Sequence, residues 1–381
     1  MKYILIFWLV CLPCLAQAEM QPPAPSNVTI QRTFDRASPP GGDIILWEHE
    51  SGGWDEADHA KWGRNGWVCE SNSDPKQGKC NTKLEWASTG NTTVPLTFTE
   101  KRSGMKVVLN LQGYSEQYFR QTMCAAYGGR YQIWGSAYVI CPDGNPDDLN
   151  VGRALNMALP AAELAQLPVG GLWEADLRLK LMQWDPNIFL ADFTAHLQFD
   201  VIDPNHIEIY FPAFRTASPL VELDLRPQGA PDGNPWAQDV TPLDMCLYDG
   251  YNANSTKYEL TLKDEGKPHA GRPRDADFSL YRDGENSNPD SLRDRIDYAV
   301  LLKNPETGHL ERARNNSTFI WNAINQNLIR PVRLPSLSYP VLCVPVPLLI
   351  NVEKFEVTTK NAGRYTGKLT VVFTPTTPTV N

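Results

Sequence analysis

Two histidines and five carboxylates crowd into a dozen residues, in Glu48-His49-Glu50 and Asp55-Glu56-Ala57-Asp58-His59. Paired carboxylates can serve glycoside hydrolysis as acid and base, and histidine with carboxylate can hold a divalent metal. The spacing here fits neither pattern. No G-x-S-x-G, H-E-x-x-H, phosphate loop or dinucleotide fingerprint occurs elsewhere in the chain. With Gly52-Gly53 in its middle and charge along its length, the stretch reads as a solvated loop. The expectation is a protein with no catalytic residues, metal or cofactor, and not an enzyme. A secreted glycan-processing enzyme is the alternative that Glu48, Glu50, Asp55 and Asp58 keep open. The other available chemistry is stacking, because tryptophan and tyrosine pair an apolar face with a polar edge that suits sugars. Outside the leader, Trp47, Trp54, Trp62, Trp67, Trp86, Trp134, Trp173 and Trp184 precede Asp203, and only Trp236 and Trp321 follow it.

Lys2, the apolar run Ile4 to Leu15 and the small-x-small ending Ala16-Gln17-Ala18 form a secretory signal over residues 1–18, too short to span a bilayer. Without Lys2 the chain carries 34 basic against 44 acidic residues, an acidic balance that gives no general affinity for nucleic acid. Cys11 and Cys14 leave with the signal, and six of the eight cysteines remain. In an oxidising compartment six cysteines suggest disulfides, with fifteen possible connectivities. Spacing favours local closure of Cys69 with Cys80 and Cys124 with Cys141, leaving Cys246 with Cys343.

The elements that position these residues are strands. Alternating runs occur at Asn27–Phe34, Asp43–Trp47, Leu96–Thr99, Met105–Leu111, Leu177–Leu181, Phe193–Val201, Ile207–Phe211, Leu220–Leu225, Tyr258–Leu262, Ile296–Leu302 and Val352–Val357. Pro160 to Leu167 reads as two helical turns, and Phe319–Leu328 is ambiguous. The fold class is all-β, and the length predicts two domains, with Asp203-Pro204-Asn205 breaking two alternating runs. The last such run, Gly363 to Thr374, places Tyr365, Gly367, Leu369, Val371 and Phe373 on one face. It reads as a terminal strand with no later segment to cover its free side.

Six motifs, in order, resemble one family: Leu96-Thr-Phe-Thr-Glu-Lys-Arg-Ser103, Leu167-Pro-Val-Gly-Gly-Leu-Trp173, Leu223-Asp-Leu-Arg-Pro-Gln-Gly229, Asp244-Met-Cys-Leu-Tyr-Asp-Gly-Tyr251, Pro340-Val-Leu-Cys343 and the Gly363 to Pro375 run. They are similar to the tip adhesins, or pilus-initiating minor subunits, of class 5 chaperone–usher fimbriae, the CfaE and CblD group. The six cysteines fall where that family places them.

The resemblance implies two immunoglobulin-like β-sandwich domains in tandem. These would be an adhesin domain over 19–203, a linker at 204–206 and a pilin domain over 207–381 that lacks one strand. The missing strand would come first from a periplasmic chaperone and then from the N-terminal donor strand of the major pilin, with Leu369, Val371 and Phe373 lining the groove. An outer-membrane usher and a host-cell receptor, a carbohydrate, would be the remaining partners, and the site of action the fimbrial tip. The family's receptor site uses an arginine just before the first disulfide and an arginine pair after a later strand. Arg64 matches the first, whereas Gln183-Trp184 stands where the pair would be. The basic patch is thus mostly absent, and the relatives' preference for acidic glycans does not transfer. An internal pilus subunit is the third reading: the prolines of Glu19 to Ser26 cannot supply a donor ladder, but Asn27 to Ile30 could.

Overall fold

The computed structural model describes residues 19–86, 88–119, 127–140, 149–229, 233–264 and 278–379. The expected leader and the Cys124–Cys141 pair fall outside the described residues. The first domain contains β1 (Met20–Gln21), β2 (Ser26–Asp35), β3 (Ile44–Asp55), the one-turn α1 (His59–Trp62), β4 (Gly66–Cys69), β5 (Glu85–Trp86), β6 (Thr92–Glu100), β7 (Lys106–Tyr118), β8 (Tyr127–Tyr131) and β9 (Gly135–Ser136). It continues with β10 (Gly152–Leu159), α2 (Ala161–Leu164), β11 (Gly171–Gln183) and β12 (Ile188–Ile202).

Ten of these strands form one sheet along the path β1-β3-β10-β7-β6-β11-β12-β2, with β4 beside β11 and β8 beside β7. Period-two patterning decides which face is covered. Val94, Leu96 and Phe98 on β6, Leu177, Leu179 and Leu181 on β11, and Phe193, Leu197 and Phe199 on β12 all turn into one core, and none of them is exposed. Each such side chain contributes about 1.5 to 3 kcal/mol by leaving water.

The second domain contains β13 (Glu208–Tyr210), β14 (Trp236–Leu243), β15 (Cys246–Tyr248), β16 (Lys257–Asp264), β17 (Phe278–Arg282), β18 (Arg295–Lys303), β19 (Leu310–Arg312) and β20 (Ser317–Trp321). It ends with β21 (Arg330–Val332), β22 (Val341–Pro345), β23 (Leu348–Glu356), β24 (Tyr365–Thr366) and β25 (Leu369–Thr376). The sheet β14-β23-β18-β17-β24, with β19 beside β18, packs with the three strands β20-β16-β25 and the four strands β13-β15-β22-β21.

That last sheet is a partition between the two cores. Cys246 and Tyr248 on β15 and Val341 and Cys343 on β22 belong to the first core, while Leu247 and Val344 belong to the second. Polar groups close the seam. The buried Glu100 carboxylate accepts from Ser103 N at 2.6 Å, Leu172 N at 3.2 Å, Asn252 Nδ2 at 2.6 Å and Asn254 Nδ2 at 3.1 Å. Asp203 accepts from Arg36 Nε at 2.7 Å, and its backbone N–H donates to Gly250 O at 2.8 Å. Gly250 is obligatory there, with φ of 67° and a hypothetical Cβ only 2.3 Å from Asp203 O.

Four local expectations change. Glu48 to Asp55 is not a loop but the outer half of β3, where β10 pairs Leu155 with Glu50 and Ala154 with Ser51. Bulges in this pairing, with His49 at φ of 50°, let a charged stretch keep its ladder. Leu220–Leu225 belongs to no strand: Val221, Leu223 and Leu225 pack on the second core, but Leu225 N donates to Leu223 O at 3.1 Å and no strand pairing is formed among the described residues. The Gly363 to Thr374 run divides into β24, which joins β17, and β25, which joins β16. The chain changes sheets at Gly367, where a Cβ would meet Leu280 Cδ2 at 2.8 Å. Pro160 to Leu167 forms only the single turn α2, and Phe319–Leu328 is the end of β20 followed by a 3₁₀ turn at Gln326–Leu328.

Two disulfides lie within the described residues, Cys69–Cys80 with a sequence separation of 11 and Cys246–Cys343 with a separation of 97. Loop-closure entropy makes the longer one worth about 4.7 kcal/mol against about 2.8 for the shorter. Replacing Cys246 and Cys343 together by serine should therefore lower the denaturant midpoint more than replacing Cys69 and Cys80. Equal midpoints would show that the long loop is already constrained in the unfolded chain.

Candidate functional site

β25 is the edge of its sheet. It pairs with β16 from Asp264↔Leu369 to Lys257↔Thr376, and the order β20-β16-β25 leaves its other side without a strand among the described residues. Directly paired residues show the effect: Leu260 and Leu262 on β16 are fully buried, but their partners Phe373 and Val371 are only half-buried. Phe373 stacks on Tyr258 with centroids 5.6 Å apart. Leu369, Val371 and Phe373 all lie against the second core, whereas Val372 points outward and is 43 % exposed. The result is a half-covered apolar surface beside an unpaired backbone edge, the geometry that invites strand addition. The segment around Val221, Leu223 and Leu225, outside any strand, likewise lays half-buried apolar side chains on the second core.

The second set of residues lies on the first domain. β4 pairs antiparallel with the end of β11, from Leu179↔Cys69 to Met182↔Gly66. Arg64 precedes β4 by two residues, Gln183 ends β11 and Trp184 follows it, so the pairing brings all three to one end of the sheet. All three are half-buried. The Arg64 guanidinium lies 4.7 Å from the centre of the Tyr138 ring, and the His59 ring meets Tyr138 edge-on at 5.1 Å. Ser136 Oγ fixes the loop by donating to Arg64 O at 2.7 Å. Burial raises the Tyr138 phenol pKa; Asp58 and Asp185 push the same way, and Arg64 opposes them. Arg64 thus stands among aromatic rings and two carboxylates rather than within a basic patch. Tyr138 and Asp185 carried no signal in the sequence, and His59 was marked only as part of the acidic stretch, because the fold rather than spacing brings them to Arg64.

The acidic stretch does different work. Asp55 accepts from Ala57 N at 2.9 Å and Asp58 N at 3.1 Å and pairs with Lys61 at 3.1 Å. Asp58 caps α1 by accepting from Ala60 N at 3.1 Å. His49 is bound to Glu116. Among the described residues no group of three or more metal-ligating side chains forms.

The two halves of the chain match two domain models of one family. Residues 15–204 match the first domain of the CFA/I fimbrial protein CfaE, and residues 207–377 match its second domain. The chain belongs to the CfaE fimbrial family. It is 29 % identical over 327 residues to CfaE of the Escherichia coli CFA/I fimbriae, covering 84 % of this chain and 83 % of that protein. A crystal structure of CfaE, the adhesive subunit of CFA/I fimbria of enterotoxigenic Escherichia coli, superposes with a TM-score of 0.78 at 24 % identity over 95 % of this chain and 96 % of that one. A point mutant of the same adhesin gives 0.74 at 26 % identity over 94 % of each chain. A chaperone–tip adhesin complex of CFA/I fimbriae biogenesis gives 0.64 at 26 % identity over 94 % and 98 %.

The two faces of β25 in this family member can be told apart by charge. Val371→Asp places a carboxylate against the second core and should destabilise the full chain by about 1 to 3 kcal/mol. Val372→Asp, on the outward face, should change stability by less than about 0.5 kcal/mol. Urea unfolding of both variants checks this, and equal midpoints would reverse the assignment of faces.

Proposed function

We infer that this chain is the tip subunit of a chaperone–usher fimbria: it begins pilus assembly and mediates adhesion to host-cell receptors. One observation carries the reading. Asn27 to Ile30, the segment able to act as a donor strand, is consumed at home, since β2 pairs in parallel with β12 from Phe193↔Ser26 to Ile202↔Asp35. β25 at the other end of the chain lacks a neighbour on one side. Within the described residues the chain can receive a strand and has none spare to give, which suits the end of a fibre and not its interior.

Residues 19–203 act as the adhesin domain and 207–381 as the pilin domain, joined at 204–206. The groove lined by Leu369, Val371 and Phe373 takes a strand from a periplasmic chaperone and then, after delivery to an outer-membrane usher, the N-terminal donor strand of the major pilin. Of the four carboxylates that kept an enzymatic alternative open, Asp55 and Asp58 serve turn hydrogen bonds, the cap of α1 and the Lys61 ion pair.

Receptor binding is assigned to Arg64, Gln183 and Trp184, the residues that register brings to one end of the first domain. Arg64→Ala should remove a charge-assisted hydrogen bond worth about 1.5 to 3 kcal/mol, roughly ten- to hundredfold in affinity. Trp184→Ala should remove stacking area. Binding of each variant to host cells, compared with the parent and with circular dichroism unchanged, is the test. Full binding with both residues replaced would move the site elsewhere.

A further inference from the structure

A row of four rings crosses the first domain away from its core. His49 stacks on Tyr127 at 4.4 Å and 21°, Tyr127 meets Tyr118 at 5.6 Å and 48°, and Tyr118 meets Trp54 at 5.4 Å and 47°. Pairing builds the row. Tyr118 and Tyr127 are direct partners across β7 and β8, and Gly152 is the direct partner of both Tyr118 and Trp54. A Cβ at Gly152 would lie 2.4 Å from Trp54 Cβ, so glycine is what lets the flanking rings close over the strand between them.

These rings belong to neither core. His49 is exposed, Tyr127 is 36 % exposed, and Tyr118 and Trp54 are half-buried. Beside them opens a cavity of about 40 Å³ lined by Gln21, Ser51, Trp54, Tyr118, Tyr127 and Arg153. Trp54 Nε1 donates to Gln21 Oε1 at 2.8 Å, which holds an amide at the rim.

The charges around the row decide what it can take. Arg153 is buried behind it, donating to Gly135 O at 2.8 Å, Ala137 O at 2.7 Å and Ser115 Oγ at 3.2 Å, with its guanidinium 4.9 Å from the Tyr131 ring. Burial lowers its pKa to about 10, so it stays charged at neutral pH, and no carboxylate pairs with it among the described residues. Glu116, also buried, is held by His49 and by Asn156 Nδ2 at 2.7 Å. Glu19 and Glu56 stand near Tyr118 and add to the burial that raises its phenol. Charges of both signs thus flank the row and offset one another, so it favours neither an ammonium ligand nor an anionic sugar. What remains is ring face with hydroxyl and amide groups at its edge, which matches the apolar C–H face and polar rim of an uncharged hexose.

The geometry points to a second carbohydrate surface on this chain, separate from Arg64 and Trp184, in which uncharged hexose units of one oligosaccharide stack along Tyr127, Tyr118 and Trp54. It does not depend on the receptor assignment at Arg64. The test uses the full mature chain purified with its chaperone and immobilised uncharged oligosaccharides of β-linked galactose and N-acetylglucosamine, with sialylated forms and choline as competitors. Tyr127→Ala should weaken binding tenfold or more, Tyr127→Phe should restore it, and Trp86→Ala, which removes an exposed ring outside the row, should leave it unchanged. In the parent chain, the oligosaccharide should protect Tyr127 from nitration, a readout that needs no variant to fold. Undiminished binding by a folded Tyr127→Ala chain, preference for the sialylated form, displacement by choline, an equal loss in Trp86→Ala or absence of nitration protection would each overturn the assignment.

Discussion

A strand with one unpaired edge over a half-covered core sets the terms for this molecule. Every second N–H and C=O of β25 points away from β16, and each has to find a partner in water or in another chain. Phe373 and Val371 add half-buried apolar surface beside fully buried Leu260 and Leu262. A soluble protein that exposed such an edge permanently would aggregate along it. On the proposed reading, stability and assembly of the second domain are the same event, because the strand that completes the core would also join the subunits.

The first domain keeps its own N-terminal segment: β2 also ends its sheet path, but it is held in pairing and is not free to be donated. β2 is paired along its whole length with β12, and Trp47 Nε1 donates to Ser26 Oγ at 3.1 Å where β2 begins. The domains meet through the sheet of β13, β15, β22 and β21, whose alternate residues serve opposite cores. Glu100, reached by Asn252 and Asn254 from the other domain, is a buried carboxylate satisfied by several donors; with full hydrogen bonding such a group specifies one arrangement of the seam.

Much of this was legible in the residues. The alternation of Leu369, Val371 and Phe373 marked an apolar strand face, and the runs at Phe193–Val201 and Tyr258–Leu262 marked core strands, because period two is local information. Glu48 to Asp55 misled for the opposite reason. Its charges suggested a loop, and only the pairing of β3 with β10 shows that they sit on a bulged strand. Leu220–Leu225 has the pattern of a strand and the side-chain burial of one, but strand identity requires a neighbour that a single run cannot announce. Family resemblance pointed to Arg64 and Trp184, while Tyr138, whose ring lies against the Arg64 guanidinium, was invisible. The ring row was hidden as well, since His49, Trp54, Tyr118 and Tyr127 come from three strands that only the sheet order brings together. The eight tryptophans before Asp203 signalled rings without sorting them: Trp47, Trp62, Trp67 and Trp173 are core, and Trp86 is 55 % exposed.

The central claim is that the second domain is incomplete without a strand from outside. The direct measurement is thermal unfolding of the full chain with and without the N-terminal donor strand of the neighbouring pilus subunit fused after residue 381 through a flexible linker. The account predicts a rise in Tm of many degrees with the native donor sequence and little rise when its core-facing residues are replaced by charged ones. A monomeric chain whose Tm is the same with and without the donor would contradict it.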